Sequence, residues 1–104
     1  MPESASIESR KMMRFLGAKV IITPAPEAGS GAYKKAQELA DRNDWFYARQ
    51  FENEANANIH ESTTGEEIVS DFKESGLDYW VSGYGTGGTF SGVARVLKKS
   101  MPDT

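Results

Sequence analysis

The stretch Gly83-Tyr84-Gly85-Thr86-Gly87-Gly88-Thr89 carries the most legible chemistry in the chain. Four of six consecutive positions from Gly83 to Gly88 are glycine. Without Cβ atoms in the way, an anion can come close to the backbone N–H groups. The helix-like run that follows, Phe90 to Lys99, would add unpaired N–H groups and a partial positive charge at its N-terminus. Thr86 and Thr89 offer two hydroxyl donors. The segment reads as a cradle for a phosphate group. Its Gly83-x-Gly85-x-x-Gly88 spacing also matches a dinucleotide fingerprint. The acidic residue that would support that reading belongs about 20 positions further on, past Thr104. No Gly-Lys-Ser/Thr follows the glycines, which argues against a nucleotide-hydrolysing loop. A purely structural glycine turn is the plainer alternative.

Other candidates for chemistry are sparse. His60 is the only histidine, so no histidine pair for a metal and no serine–histidine–acid set is available. A lone histidine near a helix start reads first as structural. Glu66 and Glu67 are adjacent on a helix and face different directions, so they do not read as one acid–base pair. The chain has no cysteine, which removes disulfides, thiolate metal sites and cysteine nucleophiles. No metal site is expected.

The elements that must position the loop follow from periodicity. Ser6 should cap a helix running to Leu16, with Glu8 in its first turn and Gly17 as terminator. Lys19 to Thr23 is a short β-branched run and reads as a buried strand. Pro24, Pro26, Gly29 and Gly31 mark a loop. A helix is expected over Ala32 to Arg42, and Trp45 to Ala48 reads as a second strand. Asn53, Asn56 and Asn58 favour caps and turns, and one helix is expected from there to Lys73, closed by Gly76. Gly65 within it costs about 1 kcal/mol relative to alanine, which suggests close backbone packing or an irregular first turn. Tyr79 to Ser82 would be a third strand leading into the glycine loop. Trp45, Phe46, Tyr47, Tyr79 and Trp80 are expected in the core, and Met12 and Met13 in the core or an interface.

This alternation predicts an α/β fold of parallel-sheet αβα architecture. Three strands leave unpaired edges, so the architecture should be partial. At 104 residues with 38% apolar and 26% charged residues, the chain reads as one modest soluble unit. Its net charge of −3 and the lack of a basic stripe argue against nucleic acid. No apolar run approaches the roughly 18 residues of a membrane span, and the N-terminus lacks a signal pattern. A cytoplasmic location is expected.

The assembled motifs resemble cysteine synthase (O-acetylserine sulfhydrylase), of the fold-type II pyridoxal-phosphate enzymes. Met1-Pro2-Glu3 with Ser6-x-Glu8 and Arg10-Lys11, and then Gly17 to Thr23, look like two of its stretches. Gln50-Phe51-x-Asn53-x-Ala55-Asn56-x-x-x-His60-x-x-Thr63-Thr64-Gly65-x-Glu67-Ile68 resembles a third, and Gly85-Thr86-Gly87-Gly88-Thr89 the fourth. Four motifs in order at matching spacing are far more specific than the loop alone. Glu54 and Glu66 stand where the family usually has proline.

The resemblance implies the tryptophan synthase β-like fold, and pyridoxal 5'-phosphate held through Gly85, Thr86, Gly87, Gly88 and Thr89. Gly83 would line the pocket near the ring, and Gln50 would lie beside the substrate carboxylate. The reaction would be β-replacement, converting O-acetylserine and sulfide to cysteine and acetate, in a parent that is a homodimer. Residues 1–52 would be part of the smaller mobile domain and residues 56–104 part of the larger one that binds the cofactor phosphate. None of Lys11, Lys19, Lys34, Lys35, Lys73, Lys98 or Lys99 has the serine-rich setting of the family's Schiff-base lysine. The chain therefore resembles a central piece of such an enzyme, with no catalytic residue of its own and no expected activity alone. The alternatives are a dinucleotide-binding segment, or a non-catalytic remnant that binds a partner chain.

Overall fold

The computed structural model describes residues 1–104. They form two compact units, Met1–Tyr47 and Ala48–Thr104. In the first unit, helix α1 spans Ile7–Phe15. Ser6 caps it by accepting from the Ser9 N–H at 3.1 Å, the side-chain cap that serine favours. Gly17 closes it with φ +91° and donates to the Arg14 carbonyl at 2.9 Å. A 3-10 turn, Ala25–Glu27, leads into α2, Ala28–Asn43. The helix thus begins earlier than expected and takes in Gly29 and Gly31. Gly31 is needed there, because a Cβ would fall 2.5 Å from the Glu27 Cβ.

The second unit is a cluster of three helices: α3, Ala55–Ser62; α4, Thr64–Phe72; and α5, Gly88–Ser100. The single helix expected from the asparagine-rich stretch to Lys73 is broken at Thr63, whose φ −126° and ψ −83° are not helical. The Thr63 and Ser62 hydroxyls both donate to the Ile59 carbonyl. Such side-chain donors compete with the helix ladder for the same acceptor. Past the break, Gly65 lets Val96 approach; a Cβ there would lie 2.7 Å from a Val96 methyl. Gly76 follows α4 with φ +75° and donates to Phe72 at 2.9 Å.

No regular strand forms, which corrects the expected α/β parallel sheet. Only one isolated parallel bridge is present, Pro2 to Thr23. Thr23 donates to Met1 at 3.0 Å and accepts from Glu3 at 2.8 Å. A strand exists only as part of a ladder, with a neighbour about 4.8 Å away. Apart from that bridge, the three β-like runs have no such neighbour. The side chains of the second and third runs consequently stay largely in solvent, whereas Val20 and Ile21 of the first are half-buried and Thr23 is buried. Phe46 is 88% exposed, Tyr79 85% and Val81 92%, and Trp45 is exposed as well. Met12 and Met13 on α1 are also exposed, so these residues do not form the expected core.

The buried set of the second unit is small and lies mainly on α5: Val93, Val96 and Leu97, with Ala57 of α3. Complete burial of Val93 contributes roughly 1.5–3 kcal/mol. Gly92 brings α5 against α3 at backbone distance; a Cβ there would lie 2.3 Å from the Ala57 carbonyl and 2.7 Å from the Glu61 nitrogen. Gly88 stands one turn earlier and faces Asn56 in the same way. The pair Gly88/Gly92 is therefore the seam along which α3 approaches the start of α5. No helix is long and apolar enough to cross a membrane.

Candidate functional site: the glycine loop at the start of α5

The seam positions the loop. Gly87 has φ +81°, a conformation that glycine adopts without steric cost. It turns the chain into α5, whose N-terminus no side chain caps. The first N–H groups of α5 thus have no intrahelical acceptor, and the one side-chain contact among them is a long one from the Gly88 N–H to the Thr86 hydroxyl at 3.4 Å, an arrangement that suits an anion. Gly88 is buried, and a Cβ on it would collide with the Asn56 amide at 2.0–2.7 Å.

The two loop threonines are tied to α3. Thr86 Oγ1 accepts from Asn56 Nδ2 at 2.8 Å and more weakly from the Gly88 N–H at 3.4 Å. Thr89 Oγ1 lies 3.1 Å from His60 Nε2. On the other side of the ring, His60 Nδ1 lies 2.9 Å from Thr64 Oγ1, at the start of α4. Asn56 Nδ2 also donates to the Gln50 carbonyl at 2.9 Å. Gln50 sits on a turn formed as Glu52 and Asn53 donate to the Arg49 carbonyl at 2.8 and 2.9 Å. Asn53 then accepts from the Ala55 N–H at 3.0 Å and so starts α3. Each asparagine in this stretch has a separate structural task.

Gln50, Asn56, Thr86, Gly87, Gly88 and Ser91 line a polar cleft of about 270 Å³. Arg95 stands at the same cleft, paired with Glu54 at 3.1 Å and Glu61 at 3.4 Å. The hydrogen bond it donates to Glu54, then that to Glu61, raises the guanidinium above its ordinary pKa. Arg95 is thus already engaged by two carboxylates. A second cavity, about 230 Å³, lies in the first unit among Met13, Val20, Ile21 and Leu39. It is lined mainly by apolar side chains and holds no acid–base pair.

The predicted site residues fall into two groups. Gln50, Thr86, Gly87 and Gly88 share the cleft, while Thr89, next in the chain, does not line it and is hydrogen-bonded to His60. Gly83 and Gly85 are exposed, and a Cβ on either would meet nothing within 4 Å. Within this chain no crowding explains glycine at those two positions. Sequence reasoning passed over Asn56 as a turn former and His60 as structural. Their spacing of four residues, which puts both on one helix face, was the available signal. No group of three or more histidine, cysteine, aspartate or glutamate residues is placed to hold a metal ion.

The donor set fits a phosphate monoester such as that of pyridoxal phosphate. It offers backbone N–H groups at the start of α5, a left-handed glycine at the turn and two hydroxyls; Glu52 and Glu54 also line the cleft, and the Glu54 carboxylate is engaged by Arg95.

Comparison with known proteins agrees with this geometry. A family model described as pyridoxal-phosphate dependent enzyme matches residues 1–104. The chain is 50% identical over 105 residues to a cysteine synthase of Flavobacterium sp., covering 99% of this chain and 34% of the relative. It is 47% identical over 103 residues to a cysteine synthase of Staphylococcus aureus, covering 99% and 33%. The crystal structure of an O-ureido-L-serine synthase superposes with a TM-score of 0.96 at 40% identity, over 100% of this chain and 33% of that one. The backbone thus follows the path of a fold-type II enzyme even where no strand is formed. The chain spans about a third of the length of the curated relatives it matches. Because the family model spans every residue of this chain and the relatives align over 99% of it, the chain belongs to the pyridoxal-phosphate dependent enzyme family.

Proposed function

We propose that this chain is the cofactor-phosphate-binding part of a cysteine synthase-type β-replacement enzyme. The observation that carries the reading is the turn at Gly87 into the uncapped start of α5, with both loop threonines braced by α3. The N–H groups of Gly87, Gly88 and Thr89 and the hydroxyls of Thr86 and Thr89 would hold the phosphate. When bound, pyridoxal phosphate supplies the electron sink that lets a β-substituent of an amino acid be replaced. The protein's part is to fix that group in place. Gln50, at the same cleft, is assigned to the substrate carboxylate. Gly83 is assigned to the ring face. Residues 1–52 are assigned to a smaller mobile domain and residues 56–104 to a larger one, in a homodimeric parent.

The substrates proposed are O-acetylserine and sulfide, giving cysteine and acetate, on the strength of 47–50% identity to cysteine synthases. The close superposition on an O-ureido-L-serine synthase favours one second reading, a related β-replacement with a different incoming group. A chimaera tests both. This chain replaces the matching third of the Staphylococcus aureus cysteine synthase, and cysteine formation from O-acetylserine and sulfide is measured. Cysteine formation is the expected result. A folded, cofactor-loaded chimaera that makes no cysteine would overturn the assignment.

A further inference from the structure

A threonine hydroxyl has one proton and two lone pairs. It can donate to a phosphate oxygen only if that proton is not spent elsewhere. What faces each hydroxyl from behind therefore decides whether it serves an anion. For Thr86 the geometry settles the matter. The Gln50 carbonyl can only accept, so the Asn56 atom 2.9 Å from it must be the amide nitrogen. The same nitrogen lies 2.8 Å from Thr86 Oγ1 and donates to it. The Gly88 N–H adds a second, longer donation at 3.4 Å. Thr86 is filled as an acceptor, and its own proton is left to give.

Thr89 depends on a tautomer. If His60 Nε2 were bare, it would take the Thr89 proton and the hydroxyl would be lost to an anion. If Nε2 carries the proton, Thr89 accepts from it and keeps its own proton free. The bare nitrogen is then Nδ1, which needs a donor. The Thr64 hydroxyl stands 2.9 Å from it. The chain of hydrogen bonds runs from Thr64 to Nδ1, from Nε2 to Thr89, and from Thr89 outward. Asn56 and His60 are one turn apart on α3, so a single helix face braces both loop hydroxyls.

We propose that Asn56 and His60 are positioning residues that turn Thr86 and Thr89 into outward donors for a phosphate monoester, with His60 held as the Nε2–H tautomer by Thr64. This rests on the reading of the loop as a phosphate site. His60 touches the threonine and not the phosphate, so its effect must pass through Thr89.

Pyridoxine 5'-phosphate is the suitable probe, because it has the phosphate and lacks the aldehyde that would react with surface lysines. Its dissociation constant is measured on the full chain, with unphosphorylated pyridoxine as control. His60→Asn should weaken binding about tenfold, close to 1.4 kcal/mol, the scale of one hydrogen bond to a charged group. His60→Gln carries an N–H to about the reach of Nε2 and should stay within about threefold of the unmutated chain. In a Thr89→Val background, His60→Asn should have no further effect, as a double-mutant cycle requires of a residue acting only through Thr89. Equal losses in His60→Asn and His60→Gln, or effects that multiply with Thr89→Val, would overturn the proposal.

A second measurement needs no variant. His60 is the only histidine, so the ring nitrogens give unambiguous signals in a 15N NMR spectrum of the complex. The Nε2–H tautomer is expected, and Nδ1–H overturns the proposal. Failure of the unmutated chain to distinguish pyridoxine 5'-phosphate from pyridoxine would overturn the phosphate site itself, a result separable from tight binding with the wrong tautomer.

Discussion

Gly92→Ala should destabilise the second unit, although alanine is the better helix former. In an open helix position the exchange would gain about 1 kcal/mol. At Gly92 the new Cβ would meet the Ala57 carbonyl at 2.3 Å, the Glu61 nitrogen at 2.7 Å and the His60 Cβ at 2.8 Å. Two of these are backbone atoms of α3 and cannot rotate away, so the helices must separate. That separation unseats Val93, Val96 and Leu97, the buried residues of α5. Overpacking of this kind costs about 1–3 kcal/mol, and more where backbone must move. A net loss of about 2 kcal/mol is expected, or a fall in Tm of roughly 8–16 °C for a unit of this size. Urea unfolding followed by circular dichroism measures it. Gly29→Ala is the control, since a Cβ there meets nothing within 4 Å. It should stabilise by about 0.4–1 kcal/mol. Equal stabilisation by the two alanines would refute the close approach of α3 and α5, and with it the bracing of the loop.

Three further outcomes are expected. Gln50→Ala should leave affinity for pyridoxine 5'-phosphate within about twofold, because Asn56 is anchored to the Gln50 backbone carbonyl and not to its side chain; a tenfold loss in equilibrium dialysis would show that the side chain belongs to the phosphate site. Borohydride reduction with pyridoxal phosphate should label no single lysine stoichiometrically, since none of the seven lysines has the expected setting; peptide mass mapping that finds one such lysine would contradict this. The chain should self-associate, because Phe15, Leu16, Phe46, Tyr79 and Val81 are each at least 75% exposed and large apolar surface favours association; sedimentation showing a monomer at all concentrations would refute it.

Features governed by local chemistry were legible in the sequence. Ser6 caps α1, Gly17 and Gly76 terminate α1 and α4, and the glycine loop opens α5. Each needs only its own few residues. Features that need a distant partner were not. Val81 and Phe46 have strand-like neighbours in sequence, yet without a ladder they are not strands and are not buried. The break at Thr63 depends on two hydroxyls competing for one carbonyl, a contest that composition does not decide. Gly29 and Gly31 read as loop residues because glycine is a poor helix former, whereas close packing on Glu27 makes Gly31 fit a helix. At the site, the loop was legible and its bracing was not. His60 stands 29 residues from Thr89, and only the packing of α3 on α5 joins them.

The start of α5 is proposed to bind phosphate. Backbone amide NMR of the 15N-labelled chain, titrated with inorganic phosphate, tests it most directly. Saturable shifts centred on Gly87, Gly88 and Thr89 are predicted, and they should vanish in Gly88→Val, which fills the space now held by the Asn56 amide. Shifts confined to other residues, or unchanged binding in Gly88→Val, would contradict the account.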